Sequence, residues 1–234
     1  WSFTEPTIII LKGKNKISGI SKTETLKING PAMFIQEKGE LVLENVHILK
    51  GVNHQIYNRN LSGAINIHEA YAEINNLTLE NVAGEDAINL INSNFKIDKI
   101  QVDNAPSDAV DIDFSNGKIN ELYCKNITND CLDTSNSTLE VNKIIASNVN
   151  DKTVSAGENS KVDIKIVKNY DSNIGLVSKD SSELYVNKYY LSDIKLPISA
   201  YIKKYEYGLP KISVNEVISD EKIVNALLGI GVVH

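Results

Sequence analysis

The chain has 234 residues, is 42% hydrophobic and 23% charged, and carries a formal net charge of −6 with a pI near 5.3. This is enough apolar material for one domain with a sizeable core. The acidic balance and the single arginine, Arg59, exclude the basic footprint that nucleic-acid binding rewards. No run reaches the roughly 18 uninterrupted apolar residues of a membrane span.

Residues 1–30 are rich in strand-forming residues but out of register with the rest of the chain, and are expected to form the N-terminal coils of a solenoid. The first residue is Trp1 rather than Met, which suggests a processed or excised piece of a longer chain. From Pro31 onward the sequence repeats. Pro31-Ala-Met-Phe-Ile35 and Gly63-Ala-Ile-Asn-Ile67 precede Asp86-Ala-Ile-Asn-Leu90, Asp108-Ala-Val-Asp-Ile112, Asp130-Cys-Leu-Asp-Thr134 and Lys152-Thr-Val-Ser-Ala156. Counted at the second residue of each copy, Ala87, Ala109, Cys131 and Thr153 step by 22 residues, and Ile174 and Ile198 continue the series after 21 and 24. A fixed period of this size marks stacked structural units.

Each unit holds short β-branched runs divided by Asn, Asp, Ser and Gly, with no room for a helix. The pattern predicts an all-β, right-handed parallel β-helix over residues 31–218, its coils stacked about 4.8 Å apart. A leucine-rich repeat would need a Leu pattern that is missing. Ile88, Val110, Leu132 and Val154 form one inward column, and Leu90, Ile112, Thr134, Ala156 and Val177 a second. Phe95 and Leu139 share a third, interrupted by Gly117. Asn81, Asn104, Asn126 and Asn148, with Asn45 before and Asn169 after, read as an amide ladder at one turn.

The period is broken once. The segment from Lys50 to Gly63 is surplus to a single coil and carries His54, Tyr57 and Arg59, which makes it a candidate ligand-binding loop. At the other end, Ser219-Asp-Glu-Lys222 followed by Ile223-Val-Asn-Ala-Leu-Leu228 and Gly229 reads as a short helix over 219–234. It would cap the open coil or, on a rival reading, dock a partner. Two cysteines make no disulfide framework. Cys124 is expected to face the core and Cys131 a turn edge, both as free thiols.

Strand alternation turns Asp111, Asp113 and Asp133 outward. Packed carboxylates need a cation, a shared proton or solvent, and oxygen ligands suit Ca²⁺. These three residues are therefore candidates for a cation site or for catalysis. Asp86, Asp108 and Asp130 fit Asx-type turns instead. Lys152 is expected to pair with Asp130, or alternatively to act as a base, and Glu158 is expected to pair with Lys179. The four histidines show no metal-ligand spacing.

Several blocks carry a resemblance. They are Leu61-Ser-Gly-Ala-Ile-Asn66, Glu85-Asp-Ala-Ile-Asn89, Ser107-Asp-Ala-Val-Asp-Ile-Asp-Phe-Ser-Asn-Gly117, Asn129-Asp-Cys-Leu-Asp133, Asp151-Lys-Thr-Val-Ser-Ala-Gly-Glu-Asn-Ser160, Ser178-Lys-Asp-Ser-Ser182 and Ala200-Tyr-Ile-Lys-Lys-Tyr-Glu-Tyr-Gly208. Together they resemble the pectate-lyase-like β-helix superfamily. More narrowly, they resemble the β-helix domain of bacterial envelope proteins joined to spore-coat-protein-H-type kinase modules. The resemblance implies a secreted or cell-envelope setting and a polysaccharide or envelope partner. The wider superfamily includes lyases, hydrolases, epimerases and phage tailspikes. A lyase of that kind would hold Ca²⁺ on Asp111, Asp113 and Asp133 and use Lys152 or Arg59 as base. A hydrolase would use a carboxylate pair. The chain departs from the lyase pattern in having no Arg on its regular coils and few aromatics placed to stack on sugars. The leading expectation is a polysaccharide-binding β-helix. A carbohydrate-active enzyme at the Asp cluster and a passive spacer are the alternatives.

Overall fold

A computed structural model describes residues 1–19, 21, 23–53, 55–56 and 59–219. The described chain is a parallel β-solenoid of about eight coils. Its strands are β1 (Thr7–Ser18), β2 (Leu26–Gly51), β3 (Gln55–Ile56), β4 (Arg59–Asn60), β5 (Gly63–Glu80), β6 (Asp86–Ile91) and β7 (Asn94–Ala105). They continue as β8 (Val110–Asp113), β9 (Asn116–Ile127), β10 (Leu132–Ser135), β11 (Thr138–Gly157), β12 (Lys161–Lys179), β13 (Glu183–Tyr201) and β14 (Lys211–Ser219). All pairings are parallel except the small β3–β4 hairpin. The β-helix expectation holds. No helix is present among the described residues, and none is long and apolar enough to cross a membrane. The expected C-terminal cap lies, past Ser219, outside the described residues.

Residues 1–30 supply β1, which lies in parallel register on β2 with one irregularity between Lys12 and Lys14. The inward columns follow the repeat: Ile88, Val110, Leu132 and Val154 are successive partners, and all are fully buried. Each large aliphatic side chain so buried contributes about 1.5–3 kcal/mol. No coil could bury its stripe alone.

Two columns differ from the pattern that alternation predicts. Val154 pairs with Leu176 and Leu176 with Ile198, so the step stays at 22. Ser178, not Val177, therefore stacks on Ala156, and Val177 falls beside Ser155. The chain runs one residue ahead between Lys161 and Ser172, the partners of Thr138 and Val149, and is back in step at Ile174, the partner of Lys152. Stepping 21 residues from Ala156, rather than the 22 that the coils keep here, lands on Val177, and a shift of one residue moves a side chain to the other face of a strand.

The asparagine turn is present. Asn81, Asn104, Asn126 and Asn148 all have φ between 53° and 67°, the left-handed region that Asn tolerates. Asn104 Nδ2 donates to Asn81 Oδ1 at 2.9 Å and Asn148 Nδ2 to Asn126 Oδ1 at 2.7 Å. The ends of the ladder are corrected. Asn45 accepts from Asn76. Asn169 is fully buried beside the Tyr189 hydroxyl, while Asp171 takes the left-handed position. A second ladder runs alongside: the backbone N–H groups of Ser93, Ser115, Ser137 and Ser160 each donate to the Oγ of the next serine, ending at Ser182.

The cysteines are also corrected. Cys124 and Cys131 form a disulfide with Cα atoms 5.8 Å apart, and both are buried. The turn after Ile127 folds Cys131 back into the core instead of leaving it at an edge. That brings the two Cα atoms within the range a disulfide spans.

Candidate functional site

The outward column of the coils runs Ile35, Asn66, Asn89, Asp111, Asp133, Ser155 and Val177. Beside it, two residues on, run His68, Ile91, Asp113, Ser135 and Gly157. Polar groups link these coils. His68 Nε2 lies 3.1 Å from Asn89 Oδ1, and Asn89 Nδ2 donates to Asp111 Oδ2 at 2.7 Å.

The face is closed at both ends along the solenoid axis. At one end Met33 and Ile35 pack with Leu61, the last apolar residue of the insertion. Asn66, fully buried, accepts from the Gly63 N–H at 3.1 Å. At the other end Ser155 and Val177 are fully buried. Lys179 is also buried and turns back so that its Nζ lies 3.8 Å from Asp133 Oδ1. Gly157 makes this path available, because a Cβ there would sit 3.3 Å from Lys179 Cε. What remains open is a short patch around Asp111, Asp113, Asp133 and Ser135, each partly exposed.

A second acidic stack borders this patch. Asp86, Asp108 and Asp130 are buried, and their Oδ1 atoms accept the backbone N–H groups of Asp108, Asp130 and Lys152 in turn. Each serves the next coil rather than an Asx turn within its own. Lys152 ends the stack with Nζ 3.2 Å from Asp130 Oδ1, and it also pairs with Asp151. The expected Lys152–Asp130 pair is therefore present. The expected Glu158–Lys179 pair is not: Glu158 pairs with Lys204 and Lys179 faces Asp133. The regular 22-residue step explains this: Ser178 aligns with Ala156, so Lys179, the next residue, comes beside Gly157 rather than Glu158.

Crowding shifts these acids. Burial, then the neighbouring Asp130, pushes Asp108 up to about 8. Burial, then Asp113, pushes Asp111 up to about 8. Asp113 rises to about 6 through burial and Asp133. Asp130 also reaches about 6, through burial and Asp133, with Lys152 opposing. Burial alone would depress Lys152, but Asp130 and Asp151 together hold it above the ordinary lysine range. Within the patch Asp111, raised furthest, has the character of a protonated carboxylic acid that donates a hydrogen bond, beside the carboxyl group of Asp113.

Of the sequence candidates, Asp111, Asp113 and Asp133 come together on one face, with Lys152 on its border. Arg59 lies on the β3–β4 hairpin of the insertion, while His54 and Tyr57 lie outside the described residues. Among the described residues no group of three or more His, Cys, Asp or Glu side chains is disposed to hold a metal ion. His68, Ser155 and Lys179 join the face without having been among the candidates. Only their spacing from the Asp columns could have flagged them, with Lys179 standing 22 residues after Gly157. The Oγ of fully buried Ser155 has no hydrogen-bond partner. A separate concavity of about 450 Å³ lies between Glu140, Asp163 and Tyr185, but its charges are largely paired, as in Lys118–Glu140 and Lys211–Glu183. No protein-family model matches this chain, and neither a curated protein nor a solved structure matches it significantly.

Proposed function

We propose that this β-helix is an exported or envelope-associated domain that binds a polysaccharide on its acidic face. The observation that carries the reading is the open patch of Asp111, Asp113 and Asp133, where Asp111 accepts from Asn89 and stacks on Asp133, Asp113 stacks on Ser135, and burial pushes Asp111 up to about 8. Such a patch offers paired donors and acceptors to sugar hydroxyls, on a rigid sheet that needs no ordering when a ligand arrives. The buried Cys124–Cys131 disulfide accords with an oxidising, extracytoplasmic compartment.

Catalysis at the same patch is the second reading. A carboxylic acid kept protonated at neutral pH is what a glycosidase uses as its general acid. Asp111 has that character, and Asp133, one coil on, would be the partner carboxyl group. A passive spacer is the third reading and needs no such patch.

Calorimetric titration with cello-, chito- and manno-oligosaccharides and with soluble acidic glycans separates these readings. Binding by the wild type that weakens at least about tenfold, roughly 1.4 kcal/mol, in Asp111→Asn and Asp133→Asn supports the acidic face. Chain cleavage or unsaturated-product absorbance, lost in Asp111→Asn, would move the reading to an enzyme. No heat with any glycan would leave the spacer. A parallel Ca²⁺ titration of wild type and the Asp111→Ala/Asp133→Ala variant tests the cation expectation.

A further inference from the structure

Phe114 follows Asp113 at the rim of the open patch, in a conformation that aromatic residues avoid. Its φ is 50°, and the equivalent turn positions one coil before and after are Asn92 at 49° and Asn136 at 51°. Asn relieves the left-handed strain with its short polar side chain, whereas a bulky residue there is a rare outlier. The backbone of the turn does not call for a ring. The Phe114 N–H donates to the Ser135 carbonyl at 2.9 Å, as the Asn92 N–H donates to the Asp113 carbonyl at 2.9 Å. Nor does the core use it, because Phe114 belongs to neither hydrophobic cluster and is 57% exposed. The chain therefore bears both local backbone strain and an apolar ring in water at this one position. Strain of this kind concentrates at ligand-binding sites.

Two further observations concern the acidic face that Phe114 borders. Adjacent Asp113 is a partly exposed member of the open patch, so the exposed ring follows directly on the acidic face. In the neighbouring column, fully buried Ser155 follows Asp133 with its Oγ unpartnered.

We infer that Phe114 is a stacking platform for a sugar ring whose hydroxyls are held by Asp111, Asp113 and Asp133. The inference rests on the polysaccharide-binding reading and narrows its ligand. An aromatic face pairs with the apolar C–H face of a pyranose. The surrounding acids, with Lys152 and Lys179 as the nearby cations, favour neutral or amino-bearing sugars over uronic acids.

The test is Phe114→Asn, which installs the residue used by the adjacent coils, together with Phe114→Trp. Each is titrated with cello-, manno- and deacetylated chito-oligosaccharides and melted in parallel. Phe114→Asn is expected to melt at or above the wild-type temperature and to bind about five- to tenfold more weakly, with Phe114→Trp retaining affinity. Unchanged affinity in Phe114→Asn, with Asp111→Asn still impaired, would overturn the platform and leave the polysaccharide reading standing. A lower melting temperature in Phe114→Asn would assign the ring to packing and likewise overturn it. No binding of any glycan by the wild type would overturn both.

Discussion

Phe95 and Gly117 share one inward column, and the second residue is dictated by the first. A Cβ on Gly117 would lie 2.4 Å from the Phe95 ring, so the gap left by the missing side chain is filled from the coil before. Gly117→Ala is expected to cost about 1–3 kcal/mol, the usual penalty for overpacking, read as a lower melting temperature or denaturant midpoint. Phe95→Leu in the same chain should recover part of that loss. Gly157 acts similarly on the surface side, where its missing side chain lets Lys179 lie back toward Asp133. In both places a glycine serves a large neighbour rather than a turn.

Coils in this molecule are joined by side-chain ladders as well as by backbone pairing. The serine and asparagine ladders satisfy turn groups from one coil to the next, and the Asp86–Asp108–Asp130 stack does the same with carboxyl oxygens. The disulfide differs in kind, because it closes the turn between β9 and β10 within one coil. Removing it by Cys124→Ala/Cys131→Ala should lower stability by about 2–3 kcal/mol, as chain-entropy arguments give for so short a loop. The measurements are denaturant titration of the variant and alkylation of the wild type. Unfolded wild-type chain should yield no alkylated cysteine until a reductant is added.

Over the whole molecule, the net charge of −6 is distributed unevenly, with a stack of acids gathered on one face of the solenoid. Asp108 and Asp111 rise to about 8 in the folded state, and Asp113 and Asp130 to about 6. The unfolded chain releases those protons near pH 4. Between about pH 4 and pH 8 the folded state therefore binds more protons than the unfolded state, so stability falls as pH rises across that window. Melting temperature should decline from about pH 5 to pH 9, and Asp108→Asn and Asp111→Asn should each flatten the decline. A melting temperature that rises over the same range would show these carboxyl groups to be ionised and well solvated.

Much of this molecule is legible in the chain alone. The 22-residue period carries the parallel β-helix, its inward columns, the outward direction of Asp111, Asp113 and Asp133, and the Lys152–Asp130 pair. All of these depend only on local alternation and on identical coils stacking in step. Contacts between non-identical places are not legible in that way. Lys179, one strict period after Gly157, turns back past it to Asp133, and a turn brings Cys131 back to Cys124. The closing of the acidic face by Leu61 and Lys179 requires long-range packing, as does the exposure of Phe114 at a strained turn. Periodicity determines which way a side chain points. Only the tertiary structure decides what stands in front of it, because burial and electrostatic neighbours are set by residues that the repeat does not relate.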